Sequence, residues 1–541
     1  SRERHRPSDS RRRSELKPAM TFQPPEFPDD FNMADYFVFA NIEAGRGEKT
    51  AIYFEGEEIS YREVADRVMR VARNLVADGL LPEQRVLVCM QDQSEFVYAW
   101  FGALKAGAVV TQINPLLPTA DYDYYLSYIK PQFAFVDEQS LPEFTKALTN
   151  SRHCALGENV IAAGNTPSAH KRFDEWVARE CNSEPWPTKK DDPAVWLFTS
   201  GTTGKSKGAV HPHFHFPFNT EVYAKSFIGI QESDITISGA RLFFGYATGT
   251  NLMFPFAVGA STVLFREQPT PETLFEKIAR HRATVFTSVP TLINKMLQTP
   301  EENRRDISSI RFMWSAGEAL PRDLHARWDT AFGVPIIDGI GSAESFHIYI
   351  SNRLGDIRPG SLGKLVPGYE AKLVDDEASE VAQGDVGTLW LKGDSAALTY
   401  HAAYEKSKEH LRGGWIVSGD KFREDADGYW YYEGRGDDLL KSGGIYVSPH
   451  EVENCLMQHE AVRECCVIGR KDEHGLEKPL AVIVLKEEFQ PSGQFEAELI
   501  AFAKARLARY KAPHWVRFEA RPLPRNDRDK IDRKRLRREF V

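Results

Sequence analysis

The sequence predicts an α/β protein. A large N-terminal body of helix-covered sheets is followed by a small β unit and a small α+β C-terminal domain. Three observations predict this. From Tyr61, apolar residues at helical spacing alternate with short buried runs of strand length. The same alternation returns after Ala194, which calls for a second α/β unit. After Gly384 the texture shifts to short strands with glycine turns, GDVGTLWLKG and DGYWYYEGRGDD.

The elements follow in order. Residues 1–19 hold seven Lys or Arg and one strongly apolar residue, Leu16, so they cannot bury enough surface to offset their ordering entropy. They read as a disordered leader, with Met20 as a natural start. Val64, Ala65, Val68, Val71, Ala72, Leu75 and Val76 repeat at three and four residues, and Gly79 stops the run; this is an amphipathic helix. Residues 85–90, 108–113 and 133–136 read as strands, and 94–105 and 120–129 as helices between them. The large domain is expected over 20–436 and the C-terminal domain over 437–541.

Composition excludes several classes. Lys plus Arg number 68 against 77 Asp plus Glu, a net charge of −9, so the chain is no polycation built for nucleic acid. Its basic ends lack the interleaved aromatics that base stacking needs. Apolar runs stop far short of the roughly 20 residues that span a bilayer. Six cysteines show no CxxC pair, so reduced thiols and a cytoplasmic setting are expected. His211, His213 and His215 alternate along a candidate strand, but no second ligand pair accompanies them, so a metal site there is not expected.

The strand-like run 195–199 enters SGTTGKSKG (200–208), with three glycines, four hydroxyls and two lysines in nine positions. Glycines let backbone N–H groups turn inward and lysines add positive charge, which suits a polyphosphate. The spacing is not that of a Walker A loop. The residues alone leave open a flexible surface loop.

TSGTTGKSKGAVHPH resembles the signature loop of the adenylate-forming superfamily, which includes acyl-CoA synthetases, peptide-synthetase adenylation domains and luciferases. Four further stretches match in order: DGIGSAE (338–344), GWIVSGD (414–420), GRGDDLLKSGGIYVSPHEVE (434–453) and LPRNDRDKIDRKRLR (523–537). The resemblance runs from about Met20 to the C-terminus. ARLFFGYATG, IIDGIGSAESFHIYISNR and LGKLVPGYEAKLVD make it most similar to benzoate- and anthranilate-type CoA ligases.

That resemblance implies two half-reactions. A carboxylate attacks the α-phosphorus of ATP, and then the thiol of CoA attacks the acyl-adenylate. It implies ATP, Mg2+ and CoA as co-substrates and cofactor, and a small aromatic acid as substrate, with 2-aminobenzoate or benzoate favoured. A stand-alone adenylation enzyme loading a carrier protein is the rival reading. No membrane or nucleic-acid partner is implied, and either a monomer or a homodimer fits.

Residue by residue, the resemblance implies Lys530 as the cation bridging carboxylate and α-phosphate, although nine basic residues between Arg521 and Arg538 would otherwise read as a solvated face. Arg528-Asp529 stands where the family has Thr-Gly. Glu344 is implied as the magnesium ligand, with Ala343 replacing the family's threonine. Thr199, Ser200, Thr202, Thr203 and Lys207 would grip the β- and γ-phosphates. Gly317, Glu318, Ala319, Asp338, Gly339 and Ile340 would line the adenine, and Asp420 and Arg435 would hold the ribose. Phe244, Gly245, Tyr246, Ser288, Gly341 and His347 would form the aryl pocket, with the imidazole of His347 close to the substrate carboxylate. Asp437 is the implied hinge, and Ser442, Gly443 and Gly444 would border the pantetheine tunnel.

Overall fold

A computed structural model describes residues 22–150, 156, 158–166, 170–200, 205–436, 440–442, 445–474, 477–525 and 531–541. The helix Tyr61–Ala77 shows how pattern becomes structure. The Ser60 hydroxyl accepts from the Glu63 amide while the Glu63 carboxylate accepts from the Ser60 amide at 2.7 Å, satisfying two N-terminal donors reciprocally. Val64, Val68, Val71, Ala72 and Leu75 are fully buried on its inner face. The next helix, Ser94–Lys105, is buried almost all round. The two helices meet closely because Gly102 has no side chain; a Cβ there would lie 2.4 Å from Val71 Cγ1.

These helices pack on two large sheets. One has eight strands, in the order Thr399–Tyr400, Ser206–Pro212, Pro193–Ser200, Val109–Gln112, Arg85–Cys89, Phe133–Asp137, Val160–Ala163 and Lys171–Arg172. Its pairs are parallel except around Ser206–Pro212, which runs antiparallel to both neighbours. The other has nine strands and a parallel centre in which Ile235–Ser238, Val285–Ser288, Phe312–Ser315 and Ile336–Gly341 lie side by side. Buried residues of both sheets join in one apolar core. The expected small β unit is a five-stranded antiparallel sheet that includes Gly387–Gly393, Trp415–Glu424 and Trp430–Arg435. The C-terminal part has a separate core around the sheet Val462–Lys471, Glu477–Leu485 and Trp515–Phe518.

The predicted fold class therefore holds, and the helix 94–105 has the expected bounds. The three histidines are not on one strand face. His211 lies in Ser206–Pro212, His213 in the following turn and His215 at the start of a short helix. Residues 1–19 lie outside the described residues. Among the described residues, no helix is long and apolar enough to cross a membrane.

Candidate active site

The strands that flank the signature loop form a hairpin stem. Pro193–Ser200 and Ser206–Pro212 pair antiparallel, with Thr199 opposite Lys207 and Ser200 opposite Ser206. The stem is braced from the helix Thr119–Ile129. Tyr124 donates to the Ser206 carbonyl at 2.6 Å, and the Gly208 amide donates to the Tyr128 hydroxyl at 3.2 Å, which in turn donates to the His401 carbonyl.

Glu344 lies in the short helical turn Ala343–Ser345, which packs against this hairpin. The Tyr400 hydroxyl donates to Glu344 Oε1 at 2.7 Å, and Lys207 Nζ lies 4.4 Å from the centre of the Tyr400 ring. One tyrosine thus touches both the candidate magnesium ligand and the candidate phosphate lysine. Partial burial lowers the Lys207 pKa, opposed by Glu344. Tyr400 comes from the edge strand Thr399–Tyr400, paired with Ala209 and Val210. Sequence reasoning missed it, because nothing around ALTYHAA marks an active-site residue.

A second group gathers around His347. Its Nε2 lies 2.9 Å from the Tyr246 carbonyl. A carbonyl can only accept, so Nε2 carries the proton and Nδ1 keeps its lone pair. Burial pushes the imidazole pKa down to about 4, so the ring is neutral at physiological pH. Nδ1 is buried without a hydrogen-bond partner. The ring packs edge-on against Phe254, with centroids 4.7 Å apart, and lies against Gly249, where a Cβ would come within 2.3 Å of Cδ2. Tyr246 in turn donates to the Ser288 carbonyl at 3.2 Å, and Phe244 is 40% exposed beside this buried group. His347, Tyr246 and Ser288 are therefore brought together.

Two pocket glycines have a close neighbour. A Cβ on Gly341 would meet the His347 carbonyl oxygen at 2.5 Å, so this glycine lets the antiparallel strands Ile336–Gly341 and Ile348–Ser351 approach at an irregular register. A Cβ on Gly245 would sit 3.4 Å from Leu197 Cδ1, at the edge of ordinary contact.

Strand ends of the nine-stranded sheet supply the candidate adenine residues. Asp338 ends opposite Ser315, and burial raises its carboxyl pKa to about 8, so it holds a proton at neutral pH. Its Oδ1 is buried and unpartnered. Glu318 already has work. Its Oε2 accepts from the Thr291 amide at 3.0 Å and the Thr291 hydroxyl at 2.8 Å, at the start of the helix Pro290–Gln298. Gly317 takes φ +84°, a conformation that favours glycine. Asp420 and Arg435 face each other directly across Trp415–Glu424 and Trp430–Arg435.

The three histidines after the loop are structural. His211 donates from Nε2 to the Ala343 carbonyl at 2.7 Å, so its Nδ1 accepts from His215 Nδ1 at 3.1 Å. His213 Nδ1 accepts from the Met33 amide. Among the described residues, no group of three or more His, Cys, Asp or Glu could hold a metal ion. Thr202, Thr203, Asp437, Gly443, Gly444 and Lys530, and the side chains of Ser200, Arg435 and Ser442, lie outside the described residues.

The comparison with known proteins fits this arrangement. The family model for AMP-binding enzymes matches residues 39–401, and that for the AMP-binding enzyme C-terminal domain matches 451–530. The chain belongs to the AMP-binding enzyme family. Among relatives in this family, a benzoate–CoA ligase of Thauera aromatica is 41% identical over 514 residues, covering 95% of this chain and 97% of its own. A crystal structure of an anthranilate CoA ligase with anthranoyl-AMP is 38% identical with a TM-score of 0.89, covering 95% of this chain and 98% of that one. A benzoate CoA ligase from Burkholderia xenovorans LB400 is 40% identical with a TM-score of 0.84, covering 94% and 100%.

Proposed function

We propose that this AMP-binding enzyme is an ATP-dependent aromatic carboxylic acid:CoA ligase. The carboxylate attacks the α-phosphorus of ATP and pyrophosphate leaves; the thiol of CoA then attacks the aryl-adenylate and AMP leaves. The observation that carries the reading is 41% identity across 95% of the chain with a benzoate–CoA ligase.

In the first step an anion approaches a polyanion, so positioned cations and donors should dominate catalysis. Thr199, Ser200, Thr202, Thr203 and Lys207 would hold the β- and γ-phosphates at the hairpin tip. The carboxylate of Glu344 fits Mg2+, a hard cation that takes oxygen ligands from one carboxylate and the phosphates, and bound there it would neutralise developing charge. Asp338, with an unpartnered Oδ1, would lie against the adenine together with Gly317, Glu318, Ala319, Gly339 and Ile340. Asp420 and Arg435 would share the ribose hydroxyls. Lys530 would bridge carboxylate and α-phosphate, and rotation at Asp437 would replace it with the tunnel at Ser442, Gly443 and Gly444.

The ring substituent we propose is an ortho amine. Gly245 leaves out a methyl group from the pocket wall. The buried Nδ1 of His347 is an acceptor, which a donor on the ring satisfies and a carboxylate does not. The test is a panel of aryl acids incubated with ATP and CoA and read by mass spectrometry. We expect aryl-CoA thioesters, with 2-aminobenzoate used at least as well as benzoate. Absence of any aryl thioester sinks the reading, and an aryl-adenylate that free CoA does not discharge replaces CoA with another acceptor.

A further inference from the structure

One buried glutamine ties the N-terminal sheet to the pocket wall. Gln112 ends the strand Val109–Gln112, next to Pro193–Ser200 in the eight-stranded sheet, and is 3% exposed. Its Oε1 accepts from Trp100 Nε1 at 2.7 Å. Its Nε2 lies 3.0 Å from the Leu242 carbonyl and 2.7 Å from the Thr248 hydroxyl. The orientation of this amide is forced. An indole N–H can only donate and a carbonyl can only accept, so oxygen must face Trp100 and nitrogen must face Leu242. The Thr248 hydroxyl also reaches the Leu242 carbonyl at 2.7 Å. The Leu242 amide donates to Asp92 Oδ1 at 2.9 Å. Trp100, Leu242 and Thr248 are completely buried.

The two tied residues are the ends of one segment. Between Leu242 and Thr248 lie Phe244, Gly245 and Tyr246, and the Tyr246 carbonyl holds His347. The stretch opens a run of helical turns, Gly245–Thr248, Gly249–Met253 and Phe254–Val258, while Phe244 just before it is exposed. A buried polar network in which every member is satisfied fixes one conformation, whereas an apolar contact of equal size tolerates sliding. The contacts span 130 and 136 residues of sequence, so this is a tertiary tie between two units rather than a local turn.

We propose that Gln112 is a positioning residue for the aryl pocket: by pinning both ends of the Leu242–Thr248 segment it sets where Tyr246 and His347 stand, and so tunes acid affinity and selectivity without touching substrate. The proposal rests on the aryl-acid reading above.

The diagnostic variant is Gln112→Glu, which keeps shape and the acceptor for Trp100 but replaces the two amide donors facing Leu242 and Thr248 with a carboxyl that offers at most one. Steady-state constants for benzoate, 2-aminobenzoate and ATP are measured for the parent and the variant, with thermal melting as a check on folding. We expect KM for the acid to rise about 10- to 100-fold, the scale of an ångström-sized misplacement. KM for ATP should stay within about twofold, and the ratio between the two acids should change. Thr248→Val removes one strand of the tie and should give a smaller change of the same kind, which Thr248→Ser, keeping the hydroxyl, restores. A folded Gln112→Glu enzyme with parental acid KM and acid ratio overturns the proposal, as does an equal rise in both KM values. If Gln112→Glu does not fold, parental constants in Thr248→Val overturn it. A parent enzyme inactive on every aryl acid instead defeats the functional reading.

Discussion

At the hairpin tip, the polar side chains are charged and partly exposed: Lys207 and Glu344 both contact Tyr400. Around His347 the groups are neutral and buried. The imidazole donates to a backbone carbonyl, Tyr246 donates to another, and Gln112 satisfies the segment that carries them. The difference follows from what each end must hold. Phosphates are multiply charged and arrive with counterions, so charged, partly exposed partners would serve them. An aromatic ring offers little charge, so its site must be built from shape, and shape needs fixed neutral hydrogen bonds.

The largest test of this contrast is Lys530→Ala. Removing the cation proposed to bridge carboxylate and α-phosphate should lower adenylate formation by about 10²–10³-fold. Thioester formation from supplied aryl-adenylate and CoA should survive, because the proposed mechanism needs the lysine in only one domain arrangement. Equal loss in both half-reactions, with folding intact, would remove the two-state account.

Acid should separate the two ends in a different way. His211 and His347 are held down to about 4 and His213 to about 3, all by burial. Below the ordinary histidine pKa near 6.5 the unfolded chain takes up protons that the folded chain refuses. Stability is therefore full above about pH 6.5, falls as pH drops, and levels off only below about pH 4 for His211 and His347. Each unit of depression is worth about 1.4 kcal/mol. Melting temperature measured from pH 7 to pH 4.5 should fall steeply, and His213→Gln, which loses the titrating ring, should flatten the slope. An unchanged slope in a folded variant removes His213 from the account.

Tyr400→Phe probes the charged end more gently. It keeps the ring beneath Lys207 and removes only the hydrogen bond to Glu344. We expect KM for ATP to rise about tenfold, the cost of one charge-assisted hydrogen bond, with the acid KM unchanged. Parental ATP constants would mean that Glu344 needs no help in orientation.

Much of the phosphate end was legible in the sequence because it is local. Nine consecutive residues carry the loop, and Glu344 and His347 sit three apart in one motif. Element boundaries in the first half were legible for the same reason: the helix near Tyr61 has its cap, its apolar stripe and its terminal glycine in order. Tyr400, Gln112, Gly249 and Asp92 were not legible. Each earns its place through a partner between 56 and 150 residues away, and none lies in a pattern that periodicity can detect. Motif position puts Gly341 in the proposed pocket, while its missing Cβ makes room for the His347 backbone.

The smallest expected effect is the most specific. Gly245 begins the short helix Gly245–Thr248, and its added methyl would meet Leu197 Cδ1 at 3.4 Å and Cδ2 at 3.6 Å. Leu197 lies on Pro193–Ser200, the strand that leads into the phosphate loop, so this contact joins the two ends of the site. Gly245→Ala should therefore fold, because a leucine methyl can shift by a few tenths of an ångström. It should trim the space beside the ring that an ortho substituent would use. A change of one methyl in an apolar pocket is worth about 1–3 kcal/mol, so selectivity should move towards benzoate without excluding 2-aminobenzoate. The measurement is kcat/KM for both acids in parent and variant. A ratio that stays constant while both values fall would mean that the methyl disturbs Leu197 and the loop stem rather than the ring, and Gly245 would then belong to the phosphate end.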